Sequence, residues 1–204
     1  MLVIVDYGAG NLGSIQNMLL KVGATSVISA DESVINSASK LLLPGIGAFD
    51  NCMEKFNGSG LRDIMETKVN KEKTPLMGIC VGLQMLMENS EEGEMDGLGW
   101  IGGKVVAFDK QKMAEQHKVP NMGWLEVKTV KDSKLTTALT DARFYFAHSF
   151  HVVVDNPADK LLVAEYGYEF VAAIERDNII GVQFHPEKSH RFGMQLLKNF
   201  VTNF

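Results

Sequence analysis

Residues 75–87 have the sequence PLMGICVGLQMLM, in which a lone cysteine, Cys80, follows an apolar run. The apolar run predicts a buried strand, and the spacing of Leu83, Leu86 and Met87 predicts a helix after it. A strand, a tight turn and a helix around G-x-C-x-G are typical of a nucleophile elbow, whose glycines let strand and helix approach closely. A thiol at this position lies at the amino end of a helix, which favours the thiolate. A buried structural cysteine fits the same stretch, so both interpretations stay open here.

The first 90 residues alternate short apolar runs with helical patterns. Four strands are predicted at the apolar runs, residues 2–5, 27–29, 41–43 and 76–79. Three amphipathic helices are predicted between and after them, at residues 15–22, 49–56 and 61–69. Because strands that alternate with helices form parallel sheets, we expect an α/β fold with an open, mostly parallel sheet and helices on both faces.

The second half of the chain has a different pattern, with several β segments in succession. These are residues 101–108, 124–130, 144–150, 152–154, 163–166, 171–174 and 179–184. Successive strands without intervening helices predict antiparallel strands added to the parallel sheet. A helix is predicted at residues 192–204. No linker or repeat divides the chain, so residues 1–204 are expected to form a single domain.

Composition narrows the class of function. A net charge of −5 and the lack of a basic run argue against nucleic acid as a partner. The two cysteines are too few for a disulfide scaffold and lack metal-ligand spacing, so no metal and no cofactor are expected. The apolar run at the amino terminus is too short for a signal peptide or a membrane span, which predicts a soluble, cytoplasmic protein.

A nucleophilic thiol needs a base and a third group that orients the base. Of the five histidines, His185 has the best context, because it directly follows the predicted strand at 179–184. Glu187 lies two positions on, and extended geometry would place its carboxylate on the same side as the imidazole. The glycine-containing turn PGIG at 44–47 follows another strand, where backbone N–H groups could face an oxyanion; a simple tight turn is the alternative.

Three motifs together resemble one known family: GICVGLQ at 78–84, PGIG at 44–47 and GVQFHPE at 181–187. That family is the class I (triad) glutamine amidotransferases, and the similarity covers essentially the whole chain. The resemblance implies a flavodoxin-like domain in which Cys80 attacks the side-chain carboxamide of glutamine and releases ammonia. It further implies that His185 relays the proton and that Glu187 orients His185.

The resemblance also implies residues that bind glutamine and its oxyanion. The oxyanion would be held by the backbone N–H of Val81 and by one from Gly45, Ile46 or Gly47. The amino-acid part of glutamine would be held at Gln84, Glu92, Ser149 and Phe150. A carboxylate such as Glu92 is a suitable partner for an α-ammonium group.

Within the family, four further stretches resemble the glutaminase subunits of histidine biosynthesis: DYGAGNLGS at 6–14, VPNMGW at 119–124, YFAHSF at 145–150 and HPEKS at 185–189. The chain departs from that pattern at Asn121, where histidine is frequent, and at Phe150 and His151, where tyrosines are common. The resemblance implies a heterodimer with a (β/α)8 barrel synthase that receives the ammonia.

Candidate residues for that interface are Asn11, Trp124 and Lys188; for Trp124 a role as a core aromatic is the alternative. The stretch GLGWIGG at 97–103 also resembles relatives that serve surface-polysaccharide amino-sugar pathways.

Three other interpretations come from different classes of protein. A cysteine peptidase or deglycase with the same elbow normally has histidine directly after the cysteine, where this chain has Val81. A glutaminase of the pyridoxal-phosphate-synthase type would share the triad, but its other motifs find no match. A non-catalytic interaction module would be expected to lack a member of the triad, and all three residue types are present.

Overall fold

The computed structural model describes residues 1–204, which form twelve strands and six α-helices. The strands are β1 (Leu2–Val5), β2 (Ser26–Ser29), β3 (Lys40–Gly45), β4 (Leu76–Cys80), β5 (Asn89–Ser90), β6 (Gly103–Ala107), β7 (Asn121–Thr129), β8 (Arg143–His148), β9 (Phe150–Val154), β10 (Lys160–Tyr166), β11 (Tyr168–Arg176) and β12 (Ile179–Val182). The helices are α1 (Leu12–Lys21), α2 (Glu32–Asn36), α3 (Phe49–Gly58), α4 (Arg62–Glu66), α5 (Val81–Gln84) and α6 (His190–Asn203).

The strands form one sheet in the order β2-β1-β3-β4-β12-β11-β10-β7-β8. The five strands from β2 to β12 run parallel, and Cys80 in β4 pairs with Gly45 in β3. From β11 onward, neighbouring strands are antiparallel. A branch of β5, β6 and β9 joins the sheet at β11. Strand β4 therefore ends between two parallel neighbours, at the edge of the sheet where open α/β folds carry their sites.

The parallel strands are buried because helices cover the sheet. All four residues of β1 and of β12 and all five residues of β4 are buried, as continuous apolar runs predict. Helix α1 packs beside α6, and α2 packs beside α4. Right-handed crossovers place these two pairs on opposite faces of the sheet. None of the helices is long and apolar enough to cross a membrane.

The predicted fold class is confirmed, with a mostly parallel part followed by antiparallel strands. The predicted single strand at 144–150 is wrong, because β8 ends at His148 and β9 begins at Phe150. The predicted helix at 61–69 is also wrong in its second half, where α4 ends at Glu66 and a wider π-helical turn, Thr67–Lys71, follows.

The helix after Cys80 is much shorter than its apolar spacing predicts, because α5 ends at Gln84. The carbonyl groups of the next residues accept hydrogen bonds from another segment instead of continuing the helix. Leu98 N–H donates to the Met85 carbonyl at 2.7 Å, and Ile101 N–H donates to the Leu86 carbonyl at 3.0 Å. Leu86 and Met87 are buried all the same, so their apolar character does not distinguish a helix from this buried turn.

Candidate active site

Cys80 occupies a strained turn between β4 and α5. Its backbone has φ 56° and ψ −112°, and positive φ is uncommon for a residue with a side chain. Such conformations persist only where the surrounding structure enforces them, and they cluster at active sites. The geometry is that of the predicted elbow, with the sulfur at the carboxyl end of a strand and a helix starting at the next residue.

Three glycines enforce the turn by allowing close contact between backbones. A Cβ on Gly82 would overlap the Leu43 carbonyl oxygen of β3. A Cβ on Gly78 would lie 2.6 Å from the Gly82 carbonyl oxygen, and one on Gly45 would lie 2.5 Å from Gly82 N. Real Cβ atoms do not approach this closely, so strand β3, strand β4 and the start of α5 fit together only because these residues have no side chains.

His185 and Glu187 lie next to Cys80, at the end of the neighbouring strand β12. The imidazole Nδ1 of His185 donates to Glu187 Oε1 at 2.9 Å, and both side chains are buried. The extended geometry predicted for this segment is wrong: Pro186–Lys188 form a 3₁₀ turn, which still brings the carboxylate to the imidazole. Burial lowers the pKa of His185, but hydrogen bonds to Cys80 and Glu187 raise it more, to about 9. His185 therefore holds a proton at neutral pH that it can give to a leaving amine.

One cavity of about 380 Å³ is lined by most of the predicted site residues. Those that line it are Cys80, Val81, Ile46, Gly47, Gln84, Glu92, Ser149, Phe150, His185 and Lys188. Pro120, Ala147 and His148 line it as well, and the sequence argument did not name them for this site. Gly45 and Glu187 do not line the cavity: Gly45 directly precedes Ile46 in the chain, and Glu187 accepts a hydrogen bond from His185. Larger cavities of about 590 and 760 Å³ lie elsewhere and are lined by no cysteine.

The turn predicted at PGIG, 44–47, is wrong in its first half, because strand β3 continues to Gly45. Two buried donors hold this segment, one on each side of Gly45. Tyr7 Oη donates to the Pro44 carbonyl at 2.6 Å, and Cys52 Sγ donates to the Ile46 carbonyl at 3.3 Å. Burial raises the pKa of Tyr7 and of Cys52, so both side chains keep the proton that they donate. The anchored turn faces the cavity through Ile46 and Gly47, opposite the first residue of α5, Val81.

The residues assigned to glutamine binding lie around the same cavity. Gln84 Nε2 donates to the Phe150 carbonyl and to Gln183 Oε1, both at 3.1 Å. Glu92 Oε2 accepts from Phe49 N–H at 3.0 Å, which fixes the carboxylate at the amino end of α3. These contacts hold Gln84 and Glu92 in place before any ligand binds.

Gln183 is a residue of this site that the sequence argument missed. Its side chain is fully buried, and its Nε2 lies 3.8 Å from Cys80 Sγ, within reach of a weak hydrogen bond to sulfur. The available signal was a polar residue between Val182 and Phe184, in an otherwise apolar run. A buried amide in such a run needs a partner, and here the partners are Gln84 and the nucleophile.

The three predicted interface residues do not form one cluster. Lys188 lines the cavity, and its Nζ lies 5.8 Å from the centre of the Tyr145 ring. Trp124 is 40% exposed and stacks on His190, so the alternative of a core aromatic is wrong. Asn11 precedes α1, directly after Gly10, where a Cβ would lie 2.8 Å from Pro44 Cβ of the PGIG turn. No group of three or more His, Cys, Asp or Glu side chains comes together that could hold a metal ion.

Comparisons with known proteins identify the family of this chain. The model of the class-I glutamine amidotransferase family matches residues 3–204. A protein of Methanococcus maripaludis named imidazole glycerol phosphate synthase subunit HisH 2 is 47% identical over 202 residues, 98% of either chain. The imidazole glycerol phosphate synthase subunit HisH of Bdellovibrio bacteriovorus is 48% identical over 201 residues, again 98% of either chain.

A solved structure supports the fold alone. The PurLQS structure from Thermotoga maritima superimposes with a TM-score of 0.75 at 17% identity, over 98% of this chain and 96% of that one. The family match spans the strained cysteine, the histidine and the glutamate that meet at one edge of the sheet. The chain therefore belongs to the class-I glutamine amidotransferase family.

Proposed function

We propose that the chain is the glutaminase subunit of an imidazole glycerol phosphate synthase in histidine biosynthesis. The observation that carries this proposal is near-complete alignment, at 47% to 48% identity, with two relatives of that name. Further support comes from the 2.9 Å contact between His185 and Glu187 and from the cavity that Cys80 and His185 line. Residues 1–204 are proposed to act as one domain, since one cluster of 57 buried apolar residues extends through both parts of the sheet. The proposed location of this domain is the cytoplasm.

In the proposed reaction Cys80 passes its proton to His185, and the resulting thiolate attacks the side-chain carbonyl carbon of glutamine. Backbone N–H groups of Val81 and of the PGIG turn, 44–47, stabilise the oxyanion that forms. His185 gives its proton to the departing nitrogen, and ammonia leaves a thioester behind. His185 then takes a proton from water, which attacks the thioester and releases glutamate. Glutamine and water are thereby converted into glutamate and ammonia.

The ammonia is proposed to pass to a (β/α)8 barrel synthase subunit that makes imidazole glycerol phosphate and aminoimidazole carboxamide ribotide. The relatives are named as subunits, which fits a reaction completed on a second chain. A docking face beside the cavity is supported by exposed apolar side chains: Ile46 is 45%, Met122 66% and Trp124 40% exposed. Asn11, before α1, and Lys188, at the cavity, are proposed as further contacts with the barrel.

The test uses the heterodimer with the histidine-pathway barrel and compares wild type with Cys80→Ala. The variant is expected to lose glutamine-dependent synthesis and to keep synthesis from added ammonia. A glutamine-mimicking diazoketone is expected to label Cys80, with Cys52→Ala as the matched control that still becomes labelled. Glutamine-dependent synthesis that persists in Cys80→Ala would contradict the proposal.

A second candidate acceptor is the precursor of an amino sugar for a surface polysaccharide, which the sequence GLGWIGG at 97–103 favours. The glutaminase chemistry would be the same, and only the barrel would differ. Purification of this chain from its own cells with the barrel bound to it decides between the two. Co-purification with an amino-sugar barrel alone would replace the histidine pathway.

A further inference from the structure

Asn121 and His148 form a buried pair beside the cavity. They lie opposite each other in the register of β7 and β8, and their exposed fractions are 1% and 5%. Asn121 Nδ2 lies 3.1 Å from His148 Nε2, and His148 Nδ1 lies 2.7 Å from the Phe150 carbonyl oxygen. His148 and Phe150 line the cavity that holds Cys80, whereas Asn121 does not.

These contacts permit only one tautomer of His148. The Phe150 carbonyl can only accept a hydrogen bond, so Nδ1 must carry the proton. In a neutral ring Nε2 is then an acceptor, and it needs a donor. Asn121 supplies that donor from its amide nitrogen. The two contacts are consistent with each other and fix the imidazole from both ends.

The imidazole stays neutral in this environment. Burial lowers the pKa of His148 to about 3, and the nearby charges of His151 and His185 act in the same direction. The rings of Phe108, Phe146 and Phe170 surround it, with centroids 5.1 to 5.5 Å away. A neutral histidine has two tautomers of similar energy, so its neighbours decide which nitrogen donates.

We infer that Asn121 is a positioning residue for glutamine binding that acts through the orientation of the His148 ring. The Phe150 carbonyl accepts from both His148 Nδ1 and Gln84 Nε2, so two donors set the orientation of the 149–150 backbone. In the proposed function, on which this inference rests, that backbone contacts the amino-acid part of glutamine. Loss of the Asn121 donor would leave Nε2 of His148 buried without a partner, so the ring would turn toward another donor and leave the Phe150 carbonyl with one donor.

The first test replaces Asn121 by leucine, which has a similar shape and no donor. Nitrogen-15 NMR of the full chain is expected to show His148 as the Nδ1–H tautomer with a hydrogen-bonded Nε2 in wild type, and with the Nε2 signal shifted downfield by loss of that bond in Asn121→Leu. In the complex with the barrel, KM for glutamine is expected to rise about tenfold in the variant with a much smaller change in kcat. An Nε2–H tautomer in wild type, or an unchanged KM in the variant, would overturn the inference.

The second test uses Asn121→Asp, whose carboxylate only accepts. Nε2 must then carry a proton, and His148 keeps its bond to Phe150 only as an imidazolium. KM is expected to be near the wild-type value at about pH 6 and to approach that of Asn121→Leu by about pH 9, as the ring loses its charge. A ratio of the two KM values that does not change with pH would show a merely structural role.

These outcomes are separable from a failure of the proposed function. The Nε2 signal of His148 is read from the free chain and needs no acceptor, whereas the glutaminase assignment depends on the Cys80→Ala experiment. If Cys80→Ala kept glutamine-dependent synthesis while the Nε2 signal changed as expected, only the proposed reaction would be wrong. If Cys80→Ala behaved as expected and Asn121→Leu changed neither readout, only the role of Asn121 would be wrong.

Discussion

The proton on His185 is the residue-scale feature on which the chemistry depends. Burial alone would make the imidazole neutral, and the contacts to Cys80 and Glu187 reverse that effect. A histidine that is charged at neutral pH next to a thiol is suited to protonate a leaving amine. The charged ring cannot accept another proton. His185 can therefore act as a base in the hydrolysis of the thioester only after it has given its proton to the departing ammonia.

Glu187→Gln tests the contribution of the carboxylate charge. The amide oxygen can still accept from His185 Nδ1, so the geometry is retained while the charge is lost. The pKa of His185 is expected to fall below its wild-type value of about 9, and kcat for glutamine hydrolysis to fall by about 100-fold or more. The measurements are an NMR titration of His185 and steady-state kinetics of the complex. Glu54→Gln on the exposed face of α3 is the control, and an unchanged pKa in Glu187→Gln would contradict the argument.

At the scale of elements, the elbow depends on a contact between backbones. In Gly82→Ala the added methyl would overlap the Leu43 carbonyl, so β3 and α5 would have to separate. We expect a loss of more than about 3 kcal/mol in the free energy of unfolding, or failure to fold. Gly58→Ala is the matched control, since nothing lies within 4 Å of its Cβ position at the end of α3. That change is expected to stabilise by about 0.5 kcal/mol. Urea unfolding measures the free energy of unfolding of both variants. Equal effects in Gly82→Ala and Gly58→Ala would contradict the close contact between Gly82 and Leu43.

The anchored PGIG turn makes a second prediction at this scale. Tyr7→Phe removes the donor to the Pro44 carbonyl and keeps the edge contact with Phe56, at 5.7 Å between ring centroids. We expect a loss of about 1 to 3 kcal/mol in stability, because a buried carbonyl loses its partner. We also expect a lower kcat with little change in KM, because the turn supplies an oxyanion donor. Tyr168→Phe, remote from the turn, should lower stability without lowering kcat; a similar loss of kcat in both variants would contradict the role of the turn.

Sequence predicts the buried parallel strands well and the elements around them less well. Strand β1 is predicted at its observed bounds, because its continuous apolar run ends at the polar residue Asp6. The division at Ser149 between β8 and β9 was missed, since apolar residues continue on both sides of it. The end of α5 was missed because it is set by residues 97–101, whose N–H groups bind the carbonyls of 85–88. Such competition between distant segments leaves no local signal.

The residues of the candidate site also fall into two groups, those that sequence motifs indicate and those that they do not. Cys80, His185 and Glu187 stand in motifs whose spacing indicates chemistry, and the structure places all three at one edge of the sheet. Gln183 directly follows β12 and Asn121 is the first residue of β7; both have buried amides, and sequence shows only that these residues are polar. Their partners are 99 and 27 positions away in the chain, and the pairing follows from the sheet order.

For the whole molecule, the cavity lies where the parallel and antiparallel parts of the sheet meet. Strand β4 and the segment after β12 contribute Cys80 and His185, the proposed nucleophile and its proposed base, whereas β8 and β9 contribute the opposite wall. Both parts share one apolar core, so a change in either is transmitted to the other. The pH dependence of folding should therefore report on buried histidines from both.

Two of these histidines shift stability in opposite directions. The pKa of His185 is raised from 6.5 to about 9, so its contribution is complete below pH 6.5 and is lost as pH rises toward 9. The pKa of His148 is lowered from 6.5 to about 3, so its contribution is complete above pH 6.5 and is lost as pH falls. His151 acts in the same direction as His148, because burial lowers its pKa too. Together they place the stability maximum near pH 6.5.

His148→Gln should flatten the acid side of that profile. Glutamine does not titrate, so the variant removes one proton that the unfolded chain binds and the native chain excludes below pH 6.5. Between about pH 6 and pH 4, wild-type stability should fall more steeply than that of the variant, by up to about 1.4 kcal/mol per pH unit. Urea unfolding at successive pH values measures both slopes, with His190→Gln as the control for replacing a surface histidine. Parallel acid slopes in wild type and His148→Gln would mean that His148 is charged in the native state, and Nε2 would then have no lone pair to accept from Asn121.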